Sequence, residues 1–535
     1  MIRFRDPRQK TMFDEVWDTM HPRLQQQCLN GWQHLLRNTI LELLPVDRIG
    51  AGKSEDQGRP TTDLRAVGGL LILKSAFNWT FEQADQQFLS RLDVRWALGQ
   101  ALGDSIDERT LQRYNAVLQG DENACDEIFE KITDTLVEKL QISVRTQRLD
   151  STHVLSDMAV LGRVMLFRRT ISSLLRKIEK TDSEAFESIP TELRVRYIGA
   201  NGKSIFGQKL KDDERQLVVQ QAAKDMHFLM KQFAEHQTIS GLKQYQTLAE
   251  VFSQQCDVNE QSVEVRRKTG GDVIQNPSDP DATYCGNKGV GYKAHLSETT
   301  NDVGEPNLVT SVHLAPACEH DSNALAPILE KLEERGQLPE TLPADAGYGS
   351  DANVELAETK SVELVAPVPG GKQYDPEEVG YDQLSLNPDN TVKACAAGHA
   401  PKSSTFNAQS GTVFAQVDKN LCQSCPLLQR CPVQCNSSTQ QPNGRISFHI
   451  GAVRAAQRRR EEQTEEFKTK YRPRAGIESL NSALKRRMGL KRLRVRGKEA
   501  VKHAVTMTIV GWNILRAVAV CAFRSRKAKE AVVFG

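Results

Sequence analysis

The chain is poor in aromatic residues, at 6% of 535. Its opening stretch, "MIRFRDPRQKTMFDEVW", holds no apolar run of the kind that directs secretion. The expectation is a cytoplasmic protein. Its 11 cysteines are an odd number. With no export signal, a disulfide framework is not the reading, and clustered cysteines point instead to metal ligation. Long apolar runs are scarce as well. One, Ala504 to Phe523, has about the length of a membrane span, but it carries Asn513 and Arg516 near its middle and lies between basic segments. It reads as a buried core helix, and no membrane partner is expected.

What remains is the composition of an ordinary soluble protein, 39% hydrophobic and 26% charged. The length suits two to four domains with a substantial core. The formal net charge of +2 conceals an asymmetry. Residues 451–535 hold 22 Lys and Arg against 7 Asp and Glu, and the rest of the chain holds 48 against 61. A basic end on an acidic body suits a polyanionic partner, and a solvated basic tail is the plain alternative.

Periodicity divides the chain. Residues 1–140 carry apolar positions at helical spacing, with Ser105 or Asp107 as an N-cap before "ERTLQRYNAVL". In "QISVRTQRLDSTHV", Ile142, Val144 and Thr146 alternate, predicting a strand that ends at Asp150. Residues 157–265 return to charged helical segments. Two strands follow ("VGYKAHLSET" and "PNLVTSVHLA"), then a helix, a short strand ending in "LPADAGYGS", and another strand at "SVELVAPVP". A loop-rich stretch with five cysteines extends from Gly370 to about Asn443, before a basic helix and the apolar one. With the helical segment set aside as an insertion, this is the element order of a ribonuclease H-like α/β fold, a mixed sheet with flanking helices. Asp150 and Asp345 then stand at strand ends, with Glu478 on a helix beside them.

Three acids at one sheet end suit Mg²⁺ or Mn²⁺, hard cations that take oxygen donors and leave positions for phosphate and water. Two such ions can activate an attacking hydroxyl and stabilise the leaving oxygen of a phosphodiester. Around Glu478, Ile477, Leu480, Leu484 and Met488 form an apolar helical stripe, and Arg474, Glu478, Asn481 and Lys485 a polar one beside it. Pro473 suits the first turn of that helix, with Tyr471 just before it. An amphipathic surface helix with an incidental acid would show the same stripes. Asp321, Asp351 and Glu298 have no comparable claim, and Asp351 reads as the cap of the helix that follows Asp345.

The segment "YRPRAGIESLNSALKRRMG" contains Tyr471, Arg474, Glu478 and Lys485 at the spacing of the Tyr-x-x-Arg-x-x-x-Glu-x-x-x-x-x-x-Lys signature. It resembles the DDE transposases of bacterial insertion sequences. "LDSTHV" and "ADAGYGS" are similar to the first and second acid motifs of that family, and the N-terminal helical region is similar to the domain that precedes the core in one subgroup. The resemblance implies Asp150, Asp345 and Glu478 as catalytic ligands of two Mg²⁺ or Mn²⁺ ions, and Tyr471, Arg474 and Lys485 as contacts to the transposon end. It also implies terminal-repeat and target DNA as partners, a homodimer or larger assembly on DNA, and a prokaryotic, nucleoid-associated setting.

A second cluster is Cys395-x-x-x-His399 with Cys422-x-x-Cys425, Cys431 and Cys435. Its spacing predicts one structural zinc held by Cys395, Cys422, Cys425 and Cys431, with His399 and Cys435 as alternates. The expected architecture is therefore an N-terminal helical, DNA-binding domain (1–140) and a core built from 141–156, 266–370 and 444–525. A helical insertion (157–265), a zinc-binding insertion (371–443) and a basic tail (526–535) complete it. The expected activity is DNA cleavage and strand transfer at element ends. A ribonuclease H-like nuclease or resolvase without joining, and a non-catalytic DNA-binding derivative, are the alternatives.

Overall fold

The computed structural model describes residues 2–6, 14–53, 61–158, 161–199, 212–259, 262–301, 305–370, 374–435 and 443–534. The N-terminal region is helical. Its central helix α1 (Leu64–Ala76) buries ten of thirteen residues and starts at Asp63, whose side chain accepts from the Arg65 and Ala66 amides. Helix α2 (Ala124–Lys139) presents Ile128, Ile132 and Leu136 to the same core.

Strand β1 spans Gln147–Leu155. This corrects the predicted strand. Residues 142–146 stay outside it, and Asp150 lies in mid-strand instead of at its end. After β1 come α3 (Arg163–Thr181), α4 (Asp212–Phe233) and α5 (Lys243–Gln255), which enclose a core of their own around Phe167, Leu175, Met226 and Val251. The chain then returns to the sheet with β2 (Thr283–Cys285), β3 (Gly289–Thr299) and β4 (Val309–Pro316). Helix α6 (Leu325–Glu334), β5 (Thr341–Pro343), α7 (Asp351–Thr359) and β6 (Glu363–Val365) follow. Ser350, not Asp351, caps α7, because its hydroxyl takes the Asn353 amide.

β3 pairs antiparallel with β1 from Gln147↔Thr299 to Leu155↔Gly291, and its other edge carries β4 and the short β2. On the far edge of β1, parallel bridges Thr146↔Thr341 and Leu149↔Ala344 bring in β5, with β6 parallel beyond it. The order across is thus β4-β3-β1-β5-β6. Past Leu149 the two chains part. Among the described residues no strand covers that edge of β1 again until Leu155 bridges Arg492. The acid-bearing stretch of β1 opens into that gap.

The cysteine-rich segment differs from its loop-rich reading. It holds a three-stranded antiparallel sheet, β7 (Ser403–Asn407), β8 (Thr412–Asp418) and β9 (Asn443–His449), over a small core of Val413, Ala415, Ile446 and Phe448. The clear alternation of buried and exposed residues along β8 and β9 is the sign of a half-buried sheet.

The basic region also differs from expectation. Helix α8 (Glu465–Tyr471) ends at Tyr471, a 3₁₀ turn covers Arg472–Gly476, and α9 (Ile477–Arg486) begins only then. Pro473 therefore lies in the connecting turn. Its carbonyl, which an α-helix would bond to the amide four residues on, instead accepts from Arg148 Nη1 at 3.0 Å. The final helix, α10 (Lys498–Phe534), continues through the region expected as a basic tail; its side chains beyond Arg526 lie outside the described residues. By length and composition Lys498–Arg526 could cross a membrane, yet 61% of its apolar window is buried inside the fold. Asn513 shows why. Fully buried, it accepts from the Val309 amide at 2.9 Å and donates to the Val309 carbonyl and to Thr133, tying α10 to β4 and α2. One continuous core, including Leu70, Ile132, Leu296, Leu480 and Val510, joins the N-terminal helices, the sheet, α9 and α10.

Candidate active site

The site forms where β1 and β5 diverge. Asp150 and Asp345 each follow directly on the last bridged pair, Leu149↔Ala344, so parallel strands deliver them side by side. Helix α9 lies over the same place, its Ile477, Leu480 and Leu484 buried in the main core. That burial turns the polar stripe toward β1. Asn481 Nδ2 donates to Asp150 Oδ2 at 3.1 Å.

Arg474 stands among all three acids. Its Nη2 is 3.5 Å from Asp150 Oδ1 and 3.3 Å from Asp345 Oδ2, and its Nη1 is 3.3 Å from Glu478 Oε1. The structure thus gathers Asp150, Asp345 and Glu478 around the Arg474 guanidinium. Exposure of the carboxylates rises from 12% at Asp150 through 47% at Asp345 to 70% at Glu478, so the cluster is buried at one end and open at the other. Burial pushes the Asp150 carboxyl above its usual range; Arg474 pulls it down, and Asp345 and Asp321 push it up. Tyr471 is close enough for its phenol to feel the same groups. Burial raises it, Arg474 lowers it, and Asp345 and Asp150 raise it further. Its ring stacks on Phe467. Lys485 also faces Asp150, while burial and the neighbouring Lys288 lower its pKa.

Several residues that periodicity did not single out support this arrangement. Arg148, on β1, is bound through Nε and Nη2 to Glu298 Oε2 at 2.8 and 2.6 Å, and through Nη1 to the Pro473 carbonyl. The pair is nearly sealed, with side-chain exposures of 10% and 3%. It anchors the turn that carries Arg474. Gly476 in that turn has to be glycine for a steric reason, because a Cβ there would stand 1.9 Å from Arg148 Nη1. Behind Asp150, Ser151 donates to Asp321, and Lys293 donates to the other Asp321 oxygen at 2.7 Å. Burial works against that carboxylate's charge, but Lys293 holds it below the usual range. The register Arg148↔Glu298 on adjacent strands would have been the only sequence-level signal of this scaffold, and it is visible only once the strands are paired.

Among the described residues no three His, Cys, Asp or Glu side chains stand close enough to enclose a metal ion. At the acid cluster the Arg474 guanidinium lies between the carboxylates. The donor set is all oxygen, of the kind that suits Mg²⁺ or Mn²⁺. The cysteines occupy a separate place. Cys395, His399, Cys422, Cys425 and Cys431 line one cavity of about 30 Å³ at the end of β8. Burial, and then Cys435, Cys431, Cys395 and Cys425, push the Cys422 thiol up to about 11. All five cysteines are therefore neighbours, though not at metal-binding spacing.

Residues 394–518 match the family model described as the transposase DDE domain. Over that stretch, under a quarter of its length, the chain is similar to the transposase DDE domain. The match takes in the cysteine cluster, Arg474 and Glu478, while Asp150 and Asp345 precede it in sequence and meet it in space. No curated protein and no solved structure matches the chain. The mixed α/β build of the structure, with helices against largely antiparallel sheets, is consistent with such a domain.

Proposed function

We propose that this protein is the DNA transposase of a prokaryotic insertion sequence, built on a ribonuclease H-like core, which cuts at element ends and joins the 3′-hydroxyl to target DNA. One observation carries the reading: acids from three distant segments, one of them inside the matched DDE domain, converge on a single guanidinium. In this reading Asp150, Asp345 and Glu478 hold divalent cations. Bound there, such ions supply Lewis-acid help to the attacking hydroxyl and to the leaving oxygen.

The chain's own residues do the rest. Asn481 and the Ser151 amide, which donate to opposite oxygens of Asp150, fix that carboxylate's plane. Arg474, freed from the acids, is placed to take a phosphate of the bound strand as a two-pronged donor. Lys485 supplies a further charge from the same helix face, and Tyr471 an aromatic surface at the entrance. The Arg148–Glu298 pair keeps the Arg474 turn in register with β1. No Ser or Tyr nucleophile is needed.

The test uses DNA carrying the sequences that flank the coding region, incubated with the protein and Mg²⁺. Donor ends joined to target DNA are expected, and Asp150→Ala is expected to abolish both cutting and joining while leaving DNA binding intact. Cutting without joining would favour a nuclease or resolvase, and binding without either a non-catalytic derivative. A second assignment is one structural zinc held by Cys395, Cys422, Cys425 and Cys431, supported by their sequence spacing and by their lining one small cavity, and it requires the four to close in from the spacing they have in the structure.

A further inference from the structure

Residues 489–497, "GLKRLRVRG", link α9 to α10 and hold four basic side chains and no acid. Gly489 and Gly497, both at positive φ, turn the chain at the two ends of this segment. Between them the backbone is tied to β1. The Leu155 amide donates to the Lys491 carbonyl, the Leu493 amide to the Leu155 carbonyl, and the Asp157 amide to the Val495 carbonyl. The segment therefore runs parallel to β1 on its outer edge, beginning where the gap that holds the acids ends. Its side chains alternate as in a strand. Leu493 and Val495 pack against the main core, and Arg492, Arg494 and Arg496 are exposed. Arg492 and Arg494 also line a cleft of about 320 Å³ whose other wall is N-terminal, with Lys74 near the end of α1, Trp79 and Phe81. Among the described residues no Asp or Glu lines this cleft, and Lys74, Arg494 and Arg496 have no ion-pair partner. Arg492 reaches only Asp157, at 3.9 Å on open surface. Lys74 Nζ lies over the Phe81 ring, 4.4 Å from its centroid. Burial, and then Arg494, bring Lys74 down to about 8. Cations that face one another without acids leave the cleft short of negative charge.

Resting on the transposase reading, we propose that Arg492, Arg494, Arg496 and Lys74 form a track for the backbone of one DNA strand as it leaves the acid cluster. Alternate residues of an extended segment stand about 6.6 Å apart. That is wider than the rise of about 3.4 Å between nucleotides of one strand. Each guanidinium can thus take a phosphate of its own as a two-pronged donor. The backbone bonds to β1 hold the spacing before DNA arrives, so binding has only side chains to order. From Asp150 to Leu155 the strand rises about 17 Å, or about five nucleotides. The track therefore holds the flank of the strand, outside the phosphodiester at the acids. Lys74 meets that flank from the opposite wall, which gives the N-terminal helices a share in holding DNA.

The experiment measures binding of a short DNA duplex of fixed sequence across a KCl series, and Mg²⁺-dependent nicking of supercoiled plasmid. Wild type is compared with Arg494→Gln, Arg496→Gln, the two combined, Lys74→Met and Asp150→Ala. Lys491→Gln is the control, because Lys491 shares the segment but alternates with the arginines. Each single change at 494, 496 or 74 is expected to flatten the log–log salt slope by about 0.9, and the double change by about 1.8. Lys491→Gln is expected to keep the wild-type slope. Thermal midpoints near wild type exclude misfolding, and the exposed arginines provide the reading if Lys74→Met unfolds. A wild-type slope in the double variant overturns the track. So does equal flattening in Lys491→Gln, the mark of a diffuse basic surface. Asp150→Ala should bind with the wild-type slope and not nick. Nicking that survives Asp150→Ala, or is missing in wild type, overturns the transposase reading, while the salt slopes still decide the track.

Discussion

Gly476→Ala is a substitution for which local propensity and tertiary structure disagree in sign. The residue has φ −65° and ψ −22°, ordinary helical values. Alanine there ought to stabilise by about 0.4–1 kcal/mol, by reducing the freedom of the unfolded chain. Its Cβ, however, would lie 1.9 Å from Arg148 Nη1 and 2.7 Å from Cζ. An ordinary surface arginine would swing aside. This one is held by Glu298 on two nitrogens and by the Pro473 carbonyl on the third. Relief means giving up the charged bond to Pro473, worth about 1.5–3 kcal/mol, or lifting the 472–476 turn, an overpacking strain of about 1–3 kcal/mol. Net destabilisation of roughly 1–2 kcal/mol is therefore expected, from chemical denaturation followed by a core probe. Plasmid nicking should fall further than stability, because the displaced turn carries Arg474. A Gly476→Ala protein at least as stable as wild type, and nicking at the wild-type rate, would refute the role given to Arg148.

Glu298→Ala leaves Arg148 buried without its carboxylate, and a loss of roughly 3–5 kcal/mol is expected in the same denaturation assay; a loss under 1 kcal/mol would mean that water reaches the site. His503 is 4% exposed and burial holds it down to about 4 from 6.5. A depressed folded pKa gives stability that is present above 6.5 and is lost as pH falls toward 4. That loss, about 3 kcal/mol in order of magnitude, should shrink in His503→Gln, as read from unfolding at a series of pH values. Metal analysis of purified protein should find close to one zinc per chain, lost when Cys422 and Cys425 are both changed to Ser; full occupancy in that double variant would exclude these ligands.

The acid motifs, the polar stripe of α9 and the cysteine spacing were legible from sequence because each is local. A helix repeats every 3.6 residues and a strand every two, so Glu478, Asn481 and Lys485 share a face whatever the rest of the chain does. The apolar run at 504–523 was similarly self-declaring, and Asn513 within it has its bonding satisfied inside the fold. Boundaries were less visible. Whether β1 begins at Ile142 or Gln147, and whether Pro473 opens a helix or closes a turn, depends on β3 and on Arg148, partners more than a hundred residues away. The same limit hid the parts played by Glu298 and Asp321. A buried ion pair is defined by what packs around it, and composition carries no trace of that. Sequence by itself determined which chemistry was available at each segment: carboxylates on a strand and a helix, thiols at short spacing, cations at one end. Tertiary structure alone decided that three of those carboxylates surround one guanidinium, since only the divergence of β1 and β5 beneath a buried helix face brings distant charges to the same few ångströms.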